Sequence, residues 1–195
     1  MRNIIRVDKA RSDHRIELNS HAMKLIACTC ERHANAILEI LNEAIVNSTA
    51  LYDYRERTPE YMSAWFQSKH DANFPVIGME NESGQLCGFA TYGSFRGWPA
   101  YKYTVEHSVY VHKDYRGQGL GIGLMKSLIE FARSQDFHVL IGCIDMNNPA
   151  SIGLHEKLGF THVGTIKEAG FKFGAWLDMG MYQLILDTPA SPVDG

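Results

Sequence analysis

The sequence has no apolar run of membrane-spanning length and no block of basic residues. Apolar stretches such as AILEIL and VLIGCI are far shorter than the ~20 residues that a membrane-spanning helix needs. A net charge of −3 without a basic cluster argues against nucleic-acid binding. The N-terminal residues MRNIIRVDKARSDH contain no apolar segment of signal-peptide length, so we expect a cytoplasmic protein.

Cysteine is also scarce, with four residues at positions 28, 30, 87 and 143. Their spacing fits neither paired zinc-binding CxxC clusters nor a small disulfide framework, so we expect no metal. Cys28 and Cys30 would share one face of a strand, and Cys87 and Cys143 stand in apolar strands. The pattern predicts buried, reduced thiols.

Apolar residues make up 45% of the 195 residues, which is enough for one domain with a hydrophobic core. The pattern predicts a strand, two helices, a hairpin and then alternating strands and helices, which is typical of an α/β protein with a mixed sheet. Thr58 is a plausible cap for the second helix, with Pro59 at its first position. We expect an extension over 1–23, a domain over 24–188 and a flexible tail over 189–195. Whether Met1 or Met23 is the native start stays open.

A glycine-rich turn joins a predicted strand to a predicted helix in SVYVHKDYRGQGLGIG, residues 108–123. Bare backbone N–H groups at a helix N-terminus are suited to holding a phosphate. A Walker loop is excluded because Met125 stands where its second glycine must be. The dinucleotide pattern GxGxxG is excluded because Ile122 or Leu124 stands at its third glycine.

What remains is the pattern [Q/R]xxGx[G/A], met by Arg116, Gly119 and Gly121. It resembles the pyrophosphate loop of the GCN5-related N-acetyltransferases (GNAT), which bind acetyl-CoA. With YTVEHSVYV, SIGLHEKLGF and GFKFGAWLDMGMYQL, residues 24–187 are similar to the phosphinothricin and methionine sulfone/sulfoximine acetyltransferase subfamily. The resemblance implies a twisted mixed sheet of about six to seven strands flanked by helices, in which two splayed parallel strands hold acetyl-CoA.

The resemblance assigns the chemistry to two residues. Glu106 stands in an otherwise apolar strand and would be the general base for the attacking amine; a surface carboxylate is the alternative. His155 would protonate the leaving thiolate or assist Glu106, although a histidine late in a helix is also a common partner of the helix dipole.

The other expected contacts follow from the same resemblance. A bulge in the strand would let Val109, Tyr110 and Val111 pair with the pantetheine arm, with the Val109 N–H polarising the thioester carbonyl. The remaining expected cofactor contacts are Arg116, Gly117, Gln118, Gly119, Leu120, Gly121, Ile122, Asn148 and Lys157. The expected substrate contacts are Arg96, Gly97, Trp98, Glu106, His107 and Ser108.

The predicted function is acetyl transfer from acetyl-CoA to the α-amine of a small amino acid such as methionine sulfone, methionine sulfoximine or phosphinothricin. Two alternatives stay open: an acetyltransferase for a polyamine, an aminoglycoside or a protein N-terminus, and a CoA-binding module without catalysis. The late segment GFKFGAWLDMGMYQL has more aromatics and methionines than a closing strand needs, which predicts a homodimer.

Overall fold

A computed structural model of the chain describes residues 15–18 and 21–194. Within these residues eight strands form one mixed sheet with four α-helices. Short 3₁₀ turns at Pro99–Tyr101 and Lys113–Tyr115 flank the fifth strand. In chain order the elements are β1 (Arg15–Leu18), β2 (His21–Ala27), α1 (Cys30–Asn47), α2 (Pro59–Asp71), β3 (Val76–Glu80), β4 (Leu86–Ser94), β5 (Thr104–Val111), α3 (Leu120–Ser134), β6 (Val139–Asp145), α4 (Pro149–Lys157), β7 (Thr161–Lys172) and β8 (Ala175–Ile185).

The strands lie in the order β1-β2-β3-β4-β5-β6-β8-β7, and only β5 and β6 are parallel neighbours. This confirms the predicted α/β class with a mixed sheet. One strand, β1, adds to the expected count; it falls in the predicted extension and pairs antiparallel with β2. Residues 1–14, 19 and 20 of that extension lie outside the described residues.

The parallel pair β5 and β6 separates after three residue pairs, the last being Glu106 with Ile141. Beyond it β6 stays paired with β8, whereas β5 continues along β4, so the two strands diverge. We call this opening the fork. The predicted bulge in β5 is wrong, because the β4–β5 register runs without a shift. The fork opens because β5 and β6 follow different neighbours.

An unbroken β5 keeps the strict alternation of side chains between the two faces of the sheet. Val105, Val109 and Val111 face the core beneath α3, whereas Tyr110 packs into the second core with α1 and α2. Glu106 therefore shares the α1–α2 face with Tyr110. The fork accordingly has two chemically different sides.

The helices begin at the predicted residues, although Thr58 occupies the N-cap position of α2 without a capping hydrogen bond from its side chain. Helix α2 begins at Pro59 after Thr58, and α4 begins at Pro149 after Asn148, whose side chain accepts from the Ser151 N–H. Helix α3 begins after Gly119, whose φ of +86° suits glycine. None of the helices in the described residues is both long and apolar enough to span a bilayer.

The cysteine expectations need three corrections. Cys30 is the first residue of α1 and so does not share a strand face with Cys28. Cys143 lies in β6 as predicted but is exposed, because it projects on the open α1–α2 side of the sheet. Cys28 and Cys30 are half-buried where burial was expected, Cys87 is buried in β4 as expected, and all four thiols are free.

Candidate active site

The glycine-rich loop presents unpaired backbone donors at the start of α3. Among the described residues, the N–H groups of residues 116–121 have no intramolecular acceptor. Gly117, like Gly119, has a positive φ, and a Cβ at Gly117 would meet no atom within 4 Å. Gly121 is different, because a Cβ there would stand 2.7 Å from Leu154 of α4. The loop is thus open to a ligand at Gly117, whereas at Gly121 it packs closely against α4.

The Arg116 side chain turns back from the loop towards the body of the protein. Its guanidinium pairs with Glu43 of α1, and its Nε donates to the Val111 carbonyl at 3.2 Å. The expected contacts Gln118, Leu120 and Ile122 all belong to this loop or to the first turn of α3. The loop can hold an anion through its backbone without help from Arg116.

The remaining expected cofactor contacts lie on β5 and at the two ends of α4. Past Glu106 the backbone groups of β5 that point towards β6 have no strand partner, which leaves Val109–Val111 available for an extended ligand. Asn148 caps α4 through its Oδ1, at 3.0 Å from the Ser151 nitrogen. Lys157 is exposed in the last turn of α4.

Glu106 is half-buried at the base of the fork and shares its face with Ser108 and Tyr110. Burial raises the pKa of Tyr110 to about 12, so its hydroxyl stays protonated. Cys143 lies across the fork, and although the residue is exposed, partial desolvation of its thiol, followed by the nearby Glu106 charge, raises its pKa to about 11. Its thiol is therefore a poor nucleophile at neutral pH. Among the described residues, no three histidine, cysteine or acidic side chains are grouped so that they could hold a metal.

A cavity of about 150 Å³ opens on the same face of β5. Two cationic side chains, Arg57 and Lys69, stand in a wall whose other residues are half aromatic. The sequence reasoning missed this lining, although Trp65 and Lys69, one helical turn apart in α2, were a readable signal. The lining residues are Leu41, Leu51, Arg57, Tyr61, Trp65, Lys69, Phe89, Thr91, Ser108 and Tyr110.

Both cations are held in place by other groups. Arg57 pairs with Asp53 at 3.1 Å, and its guanidinium lies 4.8 Å from the centre of the Tyr61 ring. Lys69 donates to the Tyr92 carbonyl at 2.8 Å, and burial lowers its pKa to about 8. The cavity therefore offers fixed positive charge beside aromatic surface.

A buried lysine fixes the connection between α1 and α2, which forms part of the cavity wall. Lys172 of β7 is 4% exposed and donates to the carbonyls of Ile45, Ser48 and Leu51 at 2.7, 2.8 and 2.6 Å. These carbonyls belong to the end of α1 and the residues that follow it. The Lys172 ammonium thus links the β7–β8 hairpin to the wall of the cavity.

The two histidines of the predicted site meet on the opposite face of β5. The Nε2 atoms of His107 and His155 lie 2.8 Å apart, and His155 Nδ1 donates to the Ser151 carbonyl at 2.7 Å. His107 is therefore separated by the sheet from Glu106 and Ser108, its expected companions in the substrate site. Burial lowers the pKa of both imidazoles.

The expected substrate loop between β4 and β5 lies outside the cavity wall. Arg96 and Gly97 are exposed, and Trp98 is 74% exposed. The Arg96 charge acts on Cys143 across the fork, which places the guanidinium near the same opening. This loop is positioned to contact a ligand at the rim.

A family model described as the acetyltransferase (GNAT) family matches residues 35–160. The chain is 42% identical over 155 residues to the L-methionine sulfoximine/L-methionine sulfone acetyltransferase of Pseudomonas paraeruginosa, covering 80% of this chain and 90% of the relative. It is 34% identical over 157 residues to the phosphinothricin N-acetyltransferase of Streptomyces viridochromogenes, covering 80% and 85%. A solved structure from Salmonella typhimurium, described as an acetyltransferase with its cofactor acetyl-CoA, is 38% identical and has a TM-score of 0.84, covering 88% of this chain and 98% of that one.

Proposed function

The chain belongs to the GNAT acetyltransferase family and is an acetyl-CoA-dependent N-acetyltransferase, and from this premise we propose that it acetylates the α-amine of a small amino acid. The candidate acceptors are methionine sulfone, methionine sulfoximine and phosphinothricin. The observation that carries the proposal is the position of Glu106. It stands where β5 and β6 part, on the face that holds the cavity with Arg57 and Lys69.

The fork and the loop support one placement of acetyl-CoA. The pyrophosphate binds the free N–H groups of residues 116–121, aided by the N-terminal dipole of α3. The pantetheine arm then runs along Val109–Val111 and past Asn148 into the fork, where β5 has no partner strand. The thioester would end beside Glu106, with the Val109 N–H available to polarise its carbonyl.

The acceptor enters on the face of the sheet that α1 and α2 cover, which is the opposite face from α3. Its carboxylate, or the tetrahedral polar head of its side chain, would be met by Arg57, Lys69 or the rim residue Arg96. The aromatic wall would cover its methylene groups. This arrangement suits a short amino acid with two separated anionic or polar ends.

The proposed reaction is direct attack. The amine nitrogen bonds to the thioester carbonyl carbon, Glu106 takes the proton that this nitrogen gives up, and the C–S bond breaks. The thiolate then gains a proton, so that the products are an amide and free CoA. His155 lies across the sheet from Glu106, which favours a role beside the cofactor over direct help to the base.

We also propose that a second copy of this chain packs against the β7–β8 hairpin. β7 is an edge strand of the sheet, and the hairpin exposes several large apolar side chains. Such a surface at a sheet edge invites pairing unless it is covered. The most exposed are Phe173 (63%), Trp176 (61%), Ile185 (59%), Ile166 (50%) and Val163 (49%).

The test is thiol release from acetyl-CoA with a panel of amines. We expect the highest kcat/KM for methionine sulfone, methionine sulfoximine or phosphinothricin, with methionine lower because it lacks the tetrahedral polar head. A polyamine, an aminoglycoside or a peptide N-terminus that is preferred by about tenfold or more would overturn the amino-acid assignment.

A further inference from the structure

The His107–His155 pair occupies a defined place at the base of the fork. His107 follows Glu106, the last β5 residue paired with β6, and His155 reaches the same point from α4. The rings are 6% and 2% exposed, and Phe160 packs against both, with ring centroids at 5.2 and 5.1 Å. The pair thus joins β5 to α4 where β5 leaves β6.

Gly142 of β6 leaves the space that the two rings fill. A Cβ on this residue would stand 2.9 Å from Cε1 of His107 and 3.0 Å from Nε2 of His155. Contacts this short do not occur without displacement of the rings. The pair is therefore fitted against β6 at the first residue beyond the last parallel pairing with β5.

The hydrogen bonds fix where the protons lie. The Ser151 carbonyl can only accept, so His155 Nδ1 carries a proton. A neutral His155 then has a lone pair on Nε2, so the bond between the rings needs a proton on His107 Nε2. His107 Nδ1 then carries the lone pair of that ring, and it makes no hydrogen bond of normal geometry within the described residues, although the Ile141 backbone lies beside the imidazole.

We infer that His107 is a positioning residue for acetyl transfer, which fixes the orientation and the tautomer of His155 through its Nε2–H. This inference rests on the proposed function. Because both His155 nitrogens are occupied, the resting enzyme offers no imidazole N–H to the leaving sulfur. When the bond between the rings opens, His155 Nε2 offers a lone pair and the freed N–H belongs to His107. His107 therefore controls both the shape of the fork and the protonation of His155.

Two substitutions at His107 separate hydrogen bonding from packing. His107→Phe keeps an aromatic ring but removes the donor, which leaves His155 Nε2 buried without a partner. His107→Gln can place an amide N–H near the same point and is the conservative control. We expect kcat to fall roughly 10–100-fold in His107→Phe, because small displacements at a reacting centre cost this much. KM for acetyl-CoA should stay within about threefold, and His107→Gln should recover most of kcat.

Nitrogen-15 NMR of the imidazoles tests the pairing without any activity. We expect His155 in the Nδ1–H tautomer and His107 in the Nε2–H tautomer, and a mixture for His155 in His107→Phe. If His107→Phe does not fold, Gly142→Ala is the second variant, since it displaces the rings while both imidazoles remain; it should lower kcat and mix the tautomers.

An Nε2–H tautomer for His155 in the wild-type protein would overturn the inference. So would a wild-type kcat in either His107→Phe or Gly142→Ala, or a His107→Gln variant no better than His107→Phe. If the proposed function fails instead, the result is distinguishable. The wild-type protein would then acetylate none of the amino acids, while His155 would still be the Nδ1–H tautomer and His107 the Nε2–H tautomer.

Discussion

Replacing Gly117 by valine tests whether the glycine loop holds the pyrophosphate. Gly117 has a φ of +75°, and a Cβ there would meet no protein atom within 4 Å. A valine side chain would therefore enter the open space beside the loop donors. It would also favour a different backbone angle and turn the N–H groups away from the anion.

Gly117→Val should lower both the folding stability and the affinity for acetyl-CoA, and the two losses have separate causes. A left-handed conformation costs a β-branched residue about 1–2 kcal/mol of folding stability. Loss of one charge-assisted hydrogen bond to the pyrophosphate costs about 1.5–3 kcal/mol of binding, which weakens acetyl-CoA affinity roughly 10–150-fold. The matched control is Gly84→Val in the β3–β4 turn, because Gly84 has a φ of +78° and equally open surroundings. It should lose similar stability without losing affinity.

The assay is calorimetric titration with acetyl-CoA, alongside thermal unfolding of both variants. A folded Gly117→Val protein with wild-type affinity would refute the reasoning. Equal loss of affinity in Gly84→Val would also refute it, since the effect would then come from general strain. Gly121→Val is a poorer test, because its side chain would collide with Leu154 and disturb the contact between α3 and α4.

Two further predictions concern the assembly and the buried histidines. Light scattering at micromolar concentration should show a dimer that Val163→Asp weakens and that the equally exposed control Val46→Asp in α1 leaves intact; a wild-type monomer would contradict this. Because burial holds the pKa of His107 and of His155 below the ordinary value near 6.5, the unfolded chain binds more protons below that pH and stability falls as the solution is acidified. Urea unfolding should show a loss of about 1–3 kcal/mol between pH 7.5 and pH 5.5, reduced in His107→Phe, and equal stability at the two pH values would contradict the buried neutral pair.

The sequence was informative wherever a local rule determines the structure. Thr58 and Pro59 mark the start of α2, and the glycines at 117 and 119 mark a turn with positive φ. The strand TVEHSVYV alternates between the two faces of the sheet, so Glu106 and His107 lie on opposite sides instead of together in the substrate site as expected. The bulge came from the family resemblance, and it is the part that failed.

Long-range contacts were beyond the reach of sequence patterns. His107 and His155 are 48 positions apart, and their contact depends on where α4 crosses β6. Lys172 looks like an ordinary surface lysine in an exposed strand, yet it is buried and donates to three carbonyls at the end of α1 and in the residues that follow it. Such partners become visible only when the topology brings distant elements together.

The most direct test of the account is the pH dependence of acetyl transfer by Glu106→Gln. The amide keeps the size and hydrogen bonding of Glu106 but cannot accept the amine proton. With methionine sulfone at pH 7, kcat should fall about 10²–10⁴-fold, while acetyl-CoA affinity stays within a few-fold. The rate should recover towards wild type at high pH, where solvent deprotonates the amine, and Glu82→Gln in the exposed β3–β4 turn is the control for lost charge. A folded Glu106→Gln protein that binds acetyl-CoA and acetylates methionine sulfone at the wild-type rate at pH 7 would contradict the role of Glu106 as the base.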